Sequence, residues 1–229
     1  MRHPLDDFLA AAPDRSQEWA RHFLGRMASG ALRPVAPGLV ADIPALARPF
    51  ACLSGACTPG RRAPRTRSCC ADLTVEPTPA ERAALDAALP ALTAWFGPGA
   101  GPFFDGDALA RPGRRCAFAV DHGAGLRCGL VEAADAGALP SLRPLACRLF
   151  PLAIVALPNG TRALTAVGRG TDALLGTGAH RAFPCLGRPE DPPLAHAESA
   201  LIASLFGAPA AARLRALVDA HRAEAAAAG

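Results

Sequence analysis

Hydrophobic and polar positions follow one another along this chain in short blocks, and proline or glycine closes most of them. In residues 1–33, Trp19, Phe23 and Met27 recur at helical spacing on one stripe. They predict a helix capped by Asp14 or Ser16 and ended by Ser29 and Gly30, so this segment reads as a helical N-terminal extension. Residues 34–50 are punctuated by Pro34, Pro37, Pro44 and Pro49, which leaves Leu39–Ile43 as a short strand. Asp72–Glu76 reads as another short strand. Thr78-Pro79-Ala80-Glu81 is a strong helix start: a capping threonine, proline at the first helical position and glutamate to complete a capping box. Leu85, Leu89 and Leu92 continue an apolar stripe to Gly97, with a kink expected at Pro90.

The second half repeats the same grammar. Cys116–Val120 and Arg127–Val131 read as strands around a glycine-containing turn, followed by a helix over Glu132–Ala136. A short helix is expected to start at Pro144 and stop at Pro151. Leu152–Leu157 and Arg162–Val167 form a hairpin pattern in which Asn159-Gly160 signals a two-residue turn. Two closing helices, over residues 194–206 and 209–225, are separated by Gly207.

Composition narrows the class. The chain has 229 residues, enough to bury a core without disulfides. Hydrophobic residues make up 51% and charged residues 19%, which excludes a charge-driven disordered chain. The 23 prolines and 22 glycines fit many turns and short elements. Every one of the 24 basic residues is arginine. Without lysine there is no Walker A phosphate clamp, no kinase-type phosphate lysine and no Schiff-base chemistry. The net charge of +4 is mild, and thiolate-bound metal would offset it, so a nucleic-acid partner is not expected. The N-terminus carries early acidic residues and no long apolar run, so it does not read as a signal peptide. The longest apolar run, Leu149–Leu157, is too short to span a bilayer. These features predict a cytoplasmic protein with no membrane partner.

Eight cysteines in such a chain point to metal or redox chemistry rather than structural disulfides. Cys52, Cys57, Cys69, Cys70 and Cys185 fall in loop-like sequence, Cys116 and Cys128 flank a hairpin, and Cys147 lies in an apolar segment. Thiolates on loops and hairpin ends can converge without disturbing a core, as iron–sulfur clusters and zinc both require. Cys69 and Cys70 are adjacent, and in an extended chain their side chains point apart, which suits two metals or a cluster better than one zinc ion. His122, in the turn between Cys116 and Cys128, and His180, five residues before Cys185, are candidate nitrogen ligands.

Cys69-Cys70, the Thr-Pro-Ala-Glu helix start, Arg115-Cys116-Ala117-Phe118, Arg127-Cys128-Gly129-Leu130 and Arg143-Pro144-Leu145-Ala146-Cys147-Arg148-Leu149-Phe150-Pro151 occur in this order. This series resembles the YkgJ-like cysteine-cluster family, also described as a CxxCxxCC zinc- or iron-chelating domain, over residues 50–155. The resemblance implies a metal centre built by Cys57, Cys69, Cys70, Cys116, Cys128, Cys147 and Cys185, with Cys52 as an eighth ligand. The first cluster departs from the compact family spacing. Four residues separate Cys52 from Cys57, eleven separate Cys57 from Cys69, and the arginine-rich segment 58–68 reads as an insertion. Arg143 and Arg148 flank Cys147 and are the expected cofactor-binding residues: guanidinium groups offset thiolate charge and donate to sulfur.

The fold expected is therefore α+β, a single small domain over 34–229 of short helices and β-hairpins organised around a cysteine-bound metal centre, with the extension 1–33. Its expected role is a metal-binding protein carrying an iron–sulfur cluster or Zn²⁺. Two alternatives stand beside it. One is a cluster-dependent redox or group-transfer enzyme. The other is a zinc-stabilised nucleic-acid or protein interaction module using Arg61, Arg62, Arg65 and Arg67. Gly97-Pro98-Gly99-Ala100-Gly101 follows a helix rather than a strand, and Gly168-Arg169-Gly170 follows a strand but lacks a third glycine, so neither is a dinucleotide fingerprint.

Overall fold

A computed structural model describes residues 4–11, 16–53, 67–97, 99–123, 125–175 and 183–228. The chain begins with helices α1 (Pro4–Ala11) and α2 (Ser16–Ala28), strands β1 (Leu32–Ala36) and β2 (Leu39–Asp42), and helix α3 (Ile43–Leu46). Helices α4 (Cys69–Asp72), α5 (Pro79–Ala87) and α6 (Leu89–Phe96) follow, then β3 (Phe104–Asp105) and β4 (Ala108–Leu109). After a 3₁₀ turn at Pro112–Arg114 come β5 (Ala119–Asp121), β6 (Leu126–Cys128), α7 (Gly129–Asp135) and α8 (Leu145–Leu149). The chain closes with β7 (Leu152–Ala156), β8 (Arg162–Ala166), α9 (Asp172–Leu175), α10 (Leu194–Ala197), α11 (Ser199–Phe206) and α12 (Ala208–Ala227). The mixture of α and β expected from the sequence is present. None of the described helices is long and apolar enough to cross a membrane.

The chain divides into two compact units. The first comprises Met1–Cys52, Leu149–Arg181 and Cys185–Gly229. Its centre is a four-stranded sheet in the order β1-β2-β8-β7. Strands β2 and β8 run parallel, pairing Leu39 with Arg162 and Ala41 with Leu164; the other pairs are antiparallel. Trp19 and Phe23 of α2 stack and bury against Ala163 of β8. The boundary expected at residue 33 consequently falls inside β1, and α2 belongs to this unit. Met27, on the same expected stripe, is 59% exposed. The helix turns away at Gly30, whose positive φ lets its amide and that of Ala31 close on Met27 and Arg26.

Asp42 ties the first unit together. It ends β2 and caps α3 by accepting from the Ala45 amide at 3.3 Å. Its carboxylate also accepts from Nε and Nη2 on one edge of the Arg26 guanidinium in α2 and from Thr165 Oγ1 of β8 at 3.2 Å. The β7–β8 hairpin expected from the sequence is present, but it closes through Pro158-Asn159-Gly160 as a three-residue loop. Leu157 and Thr161 pair across it, and Gly160 takes the positive φ.

The second unit comprises Leu53–Arg148 and Ala182–Pro184. Its core gathers Leu85, Leu92, Phe103, Leu109, Phe118 and Leu130. Phe103 and Phe118 stack with centroids 4.9 Å apart, and Phe96 meets each at 5.7 Å. Antiparallel hairpins β3–β4 and β5–β6 surround this core. The expected strand over Asp72–Glu76 is absent, because Ser68 caps α4 and Asp72 ends it. The segment after it makes a backbone bond from the Leu109 amide to Val75. Pro90 does not kink one helix; it sits in the first turn of α6, a separate helix after α5.

Replacing Asp42 by alanine leaves the Ala45 amide, Thr165 and Arg26 without their shared acceptor. The expected loss is at least about 2 kcal/mol, read as a lower denaturant midpoint. A midpoint within about 0.5 kcal/mol of the parent chain would contradict the role assigned to Asp42.

Candidate metal centre

The candidate site is assembled from four short elements of the second unit. Ser68 accepts from the Ala71 amide at 3.1 Å and donates its own amide to Asp72 at 2.9 Å, fixing the start of α4. Cys69 and Cys70 therefore occupy one helical turn rather than an extended strand, and their sulfurs lie 4.0 Å apart. The Cys116 amide donates to the Cys70 carbonyl at 2.7 Å, which brings the approach to β5 beside α4. Cys128 ends β6 opposite Ala119 and precedes α7. The next residue must be small, because a Cβ on Gly129 would fall 2.5 Å from the Phe96 ring. Cys147 sits in α8, where Arg143 donates to its carbonyl.

Glu81 anchors α8. Its Oε2 accepts from the Thr78 amide at 2.9 Å, completing the capping box of α5. Its Oε1 accepts from the Leu145 amide at 2.6 Å, at the first residue of α8. One carboxylate thus satisfies two helix starts, and the second of these helices carries Cys147.

These elements enclose a cavity of about 50 Å³ lined by Cys69, Cys70, Cys116, Cys128 and Cys147. Arg111 and Arg143 line it too, and apolar side chains, Phe118 and Leu130 among them, make up much of the rest. Thiol groups are the only metal-ligating side chains among its described lining residues, a donor set that suits zinc and iron–sulfur clusters over hard cations. Tetrahedral zinc with Zn–S of about 2.3 Å places its sulfurs roughly 3.8 Å apart. The 4.0 Å separation of Cys69 and Cys70 fits one such ion, which corrects the expectation that these neighbours point apart. Among the described residues, no three Cys, His, Asp or Glu side chains stand around one point as a group that could hold a metal ion.

The cavity holds most of its thiols protonated. Cys69 is held below the ordinary thiol value of 9.0 first by its hydrogen bond with Cys70; burial opposes this, and the Arg143 guanidinium assists it. The same bond pushes Cys70 far up, and burial adds to it. Burial pushes Cys116 up to about 11 and raises Cys147 as well. A thiolate-binding metal must displace these protons.

Of the other candidates from the sequence, those that are described do not belong to the cavity lining, except Arg143. Cys52 is exposed and Cys185 buried, and both belong to the first unit. Cys57, His180 and residues 58–66 of the arginine-rich segment lie outside the described residues. His122 is exposed and pairs with Glu132 at 2.6 Å, so its ring is committed to a surface carboxylate. Arg143 lines the cavity, whereas Arg148 is exposed and does not line it. Arg111 does line it, five residues before Cys116, and sequence reasoning passed it over. Its guanidinium donates to the carbonyls of Ala71 and Arg114, while its buried Nε has no hydrogen-bond partner among the described residues.

Two outcomes follow from this geometry. Glu81→Ala removes the shared acceptor of two helix starts and should cost about 1–3 kcal/mol in chemical denaturation. An unchanged midpoint would show that α8 is held by other contacts. In metal-free protein, Cys70, Cys116 and Cys147 keep their protons in the native state while unfolded thiols ionise above 9.0. Their contribution to stability is full below that value and is lost as pH rises toward about 11 and beyond; Cys69 acts in the opposite sense. The denaturant midpoint of metal-free protein should therefore fall across this range, and a rising midpoint would contradict the burial of these thiols. No family model matches the chain, and no curated protein and no solved structure matches it.

Proposed function

We propose that the second unit is a thiolate metal centre in which Cys69, Cys70, Cys116, Cys128 and Cys147 supply the ligands for an iron–sulfur cluster or Zn²⁺. The observation that carries this reading is that five cysteines from four separate elements line one small cavity. Scattered core thiols have no reason to share a cavity with two guanidinium groups. A thiolate centre does: four thiolates around a divalent ion leave net negative charge, and Arg111 and Arg143 stand where that charge would develop. The apolar walls limit water access and favour soft, covalent ligation over hydration. This reading agrees with the YkgJ-like series of motifs, whose Cys69-Cys70, Arg115-Cys116, Arg127-Cys128 and Cys147 segments are the ones that reach the cavity. It also sets the protein in the cytoplasm, where a reducing environment keeps such thiols available.

When bound, the metal would supply structural cross-linking between α4, β5–β6 and α8, or electron transfer if it is a cluster. The chain's own part is to place the thiols, exclude water and offset charge.

Serine variants test this directly. In anaerobically purified protein, Cys69→Ser and Cys147→Ser should each lose most of the bound metal, while Cys52→Ser should retain it. Removal of metal by a chelator should lower the thermal midpoint by about 5 °C or more, since binding to the native state is coupled to folding. Equal metal content in Cys69→Ser, Cys147→Ser and the parent chain would overturn the ligand assignment.

A further inference from the structure

The first unit contains a cavity of about 280 Å³ whose polar lining is chiefly cationic. Among the described residues, three arginines line it, Arg26, Arg48 and Arg169, with His22, Thr171 and a single carboxylate, Asp42. Asp42 is neutralised by the paired hydrogen bonds from Arg26, so those two charges cancel within the wall. Arg48 and Arg169 remain. Arg48 is half-buried and donates Nε to the Ala45 carbonyl and Nη2 to the Val167 carbonyl, which leaves Nη1 without an acceptor among the described residues. Asp172 also acts on Arg48 electrostatically but does not line the cavity. Arg169 is exposed and has no ion pair or hydrogen bond among the described residues. His22 Nε2 is buried and has no hydrogen-bond partner among them.

The loop that forms one wall is shaped for close approach. A Cβ on Gly168 would fall 2.2 Å from Arg48 Nη1, so only glycine lets the guanidinium lie against this backbone. Gly170 has φ +93°, and its Cβ position lies 3.7 Å from the His22 ring. Thr171 Oγ1 donates to the Ala166 carbonyl at 2.8 Å and accepts from the Gly168 amide at 2.8 Å, which fixes the loop. Arg48 Nη1 and the Arg169 guanidinium thus have no acceptor among the described residues, and the His22 imidazole lines the same wall.

We propose that this cavity binds the phosphate group of a small phosphorylated molecule, held by Arg48, Arg169 and His22. Two guanidinium groups and an imidazole N–H match the three terminal oxygens of a phosphate monoester; a planar carboxylate offers only two. The volume exceeds what free phosphate needs and falls below that of a typical drug-sized pocket, so it leaves room for a small attached group.

Isothermal titration calorimetry on the full chain tests this, with glycerol 3-phosphate and inorganic phosphate as probes at constant ionic strength. Saturable binding is expected. Arg169→Gln should weaken it about tenfold or more, as loss of a charge-assisted hydrogen bond to phosphate requires. Arg169 is exposed and has no hydrogen bond or ion pair among the described residues, so this variant keeps the proposal testable where Arg48→Gln disturbs packing. Tighter binding of glycerol 3-phosphate supports a phosphorylated molecule as the ligand; equal or tighter binding of inorganic phosphate supports the site with free phosphate as its ligand. No saturable binding of either probe would overturn the proposal, as would parental affinity in both Arg169→Gln and His22→Asn. Among the described residues no cysteine lines this cavity, so the outcome is independent of the metal reading.

Discussion

The carboxylate of Glu81 closes the N-terminal ends of two helices at once, and the arrangement of the cysteine-bearing elements depends on it. Oε2 completes the capping box of α5, and Oε1 takes the first amide of α8. A helix start that lacks an acceptor leaves donors unsatisfied, and a helix as short as α8 has few other bonds to hold it. The same side chain thus converts a local stop-and-start signal into a long-range tether across 64 residues. Ser68 and Asp72 do the equivalent for α4, where Cys69 and Cys70 sit.

Much of this was legible in the sequence wherever the cause was local. The capping box at Thr78–Glu81, the β7–β8 hairpin, the stop after α8 at Pro151 and the break at Gly207 all arise from residues within one or two turns of each other. The misses have distinct physical causes. The parallel pairing of β2 with β8 joins residues more than a hundred positions apart, which periodicity cannot see, whereas β1 pairs locally with β2 despite Pro34 within it. Met27 sits at the right spacing for the buried stripe, yet the helix ends one residue later and the side chain stays in solvent. Asp72–Glu76 has strand-like composition, but the Ser68 cap winds the preceding residues into α4 instead.

The candidate site divides in the same way. The motif contexts of Cys69, Cys70, Cys116, Cys128 and Cys147 pointed to residues that line one cavity. Their mutual geometry was not legible, because it depends on whether Cys69-Cys70 is extended or helical. Arg143 and Arg148 both flank Cys147 in sequence, yet only Arg143, just ahead of α8, lines the cavity. Arg111 was invisible because its reach to the cavity runs through the turn at Pro112–Arg114, where Gly113 and Arg114 both take positive φ. Buried thiols and cationic neighbours oppose each other energetically. Burial holds protons on Cys116 and Cys147, while Arg143 favours ionisation of Cys69 and Cys147. A bound metal, as proposed, would resolve that opposition by replacing the protons.

The most direct measurement is the metal content of the anaerobically purified chain, taken with its absorption spectrum on the same sample. Iron with sulfide and absorbance near ~400 nm, or a colourless protein with stoichiometric zinc, is the expected result and identifies which centre the thiols hold. A chain that carries neither metal in stoichiometric amount would contradict the thiolate centre outright.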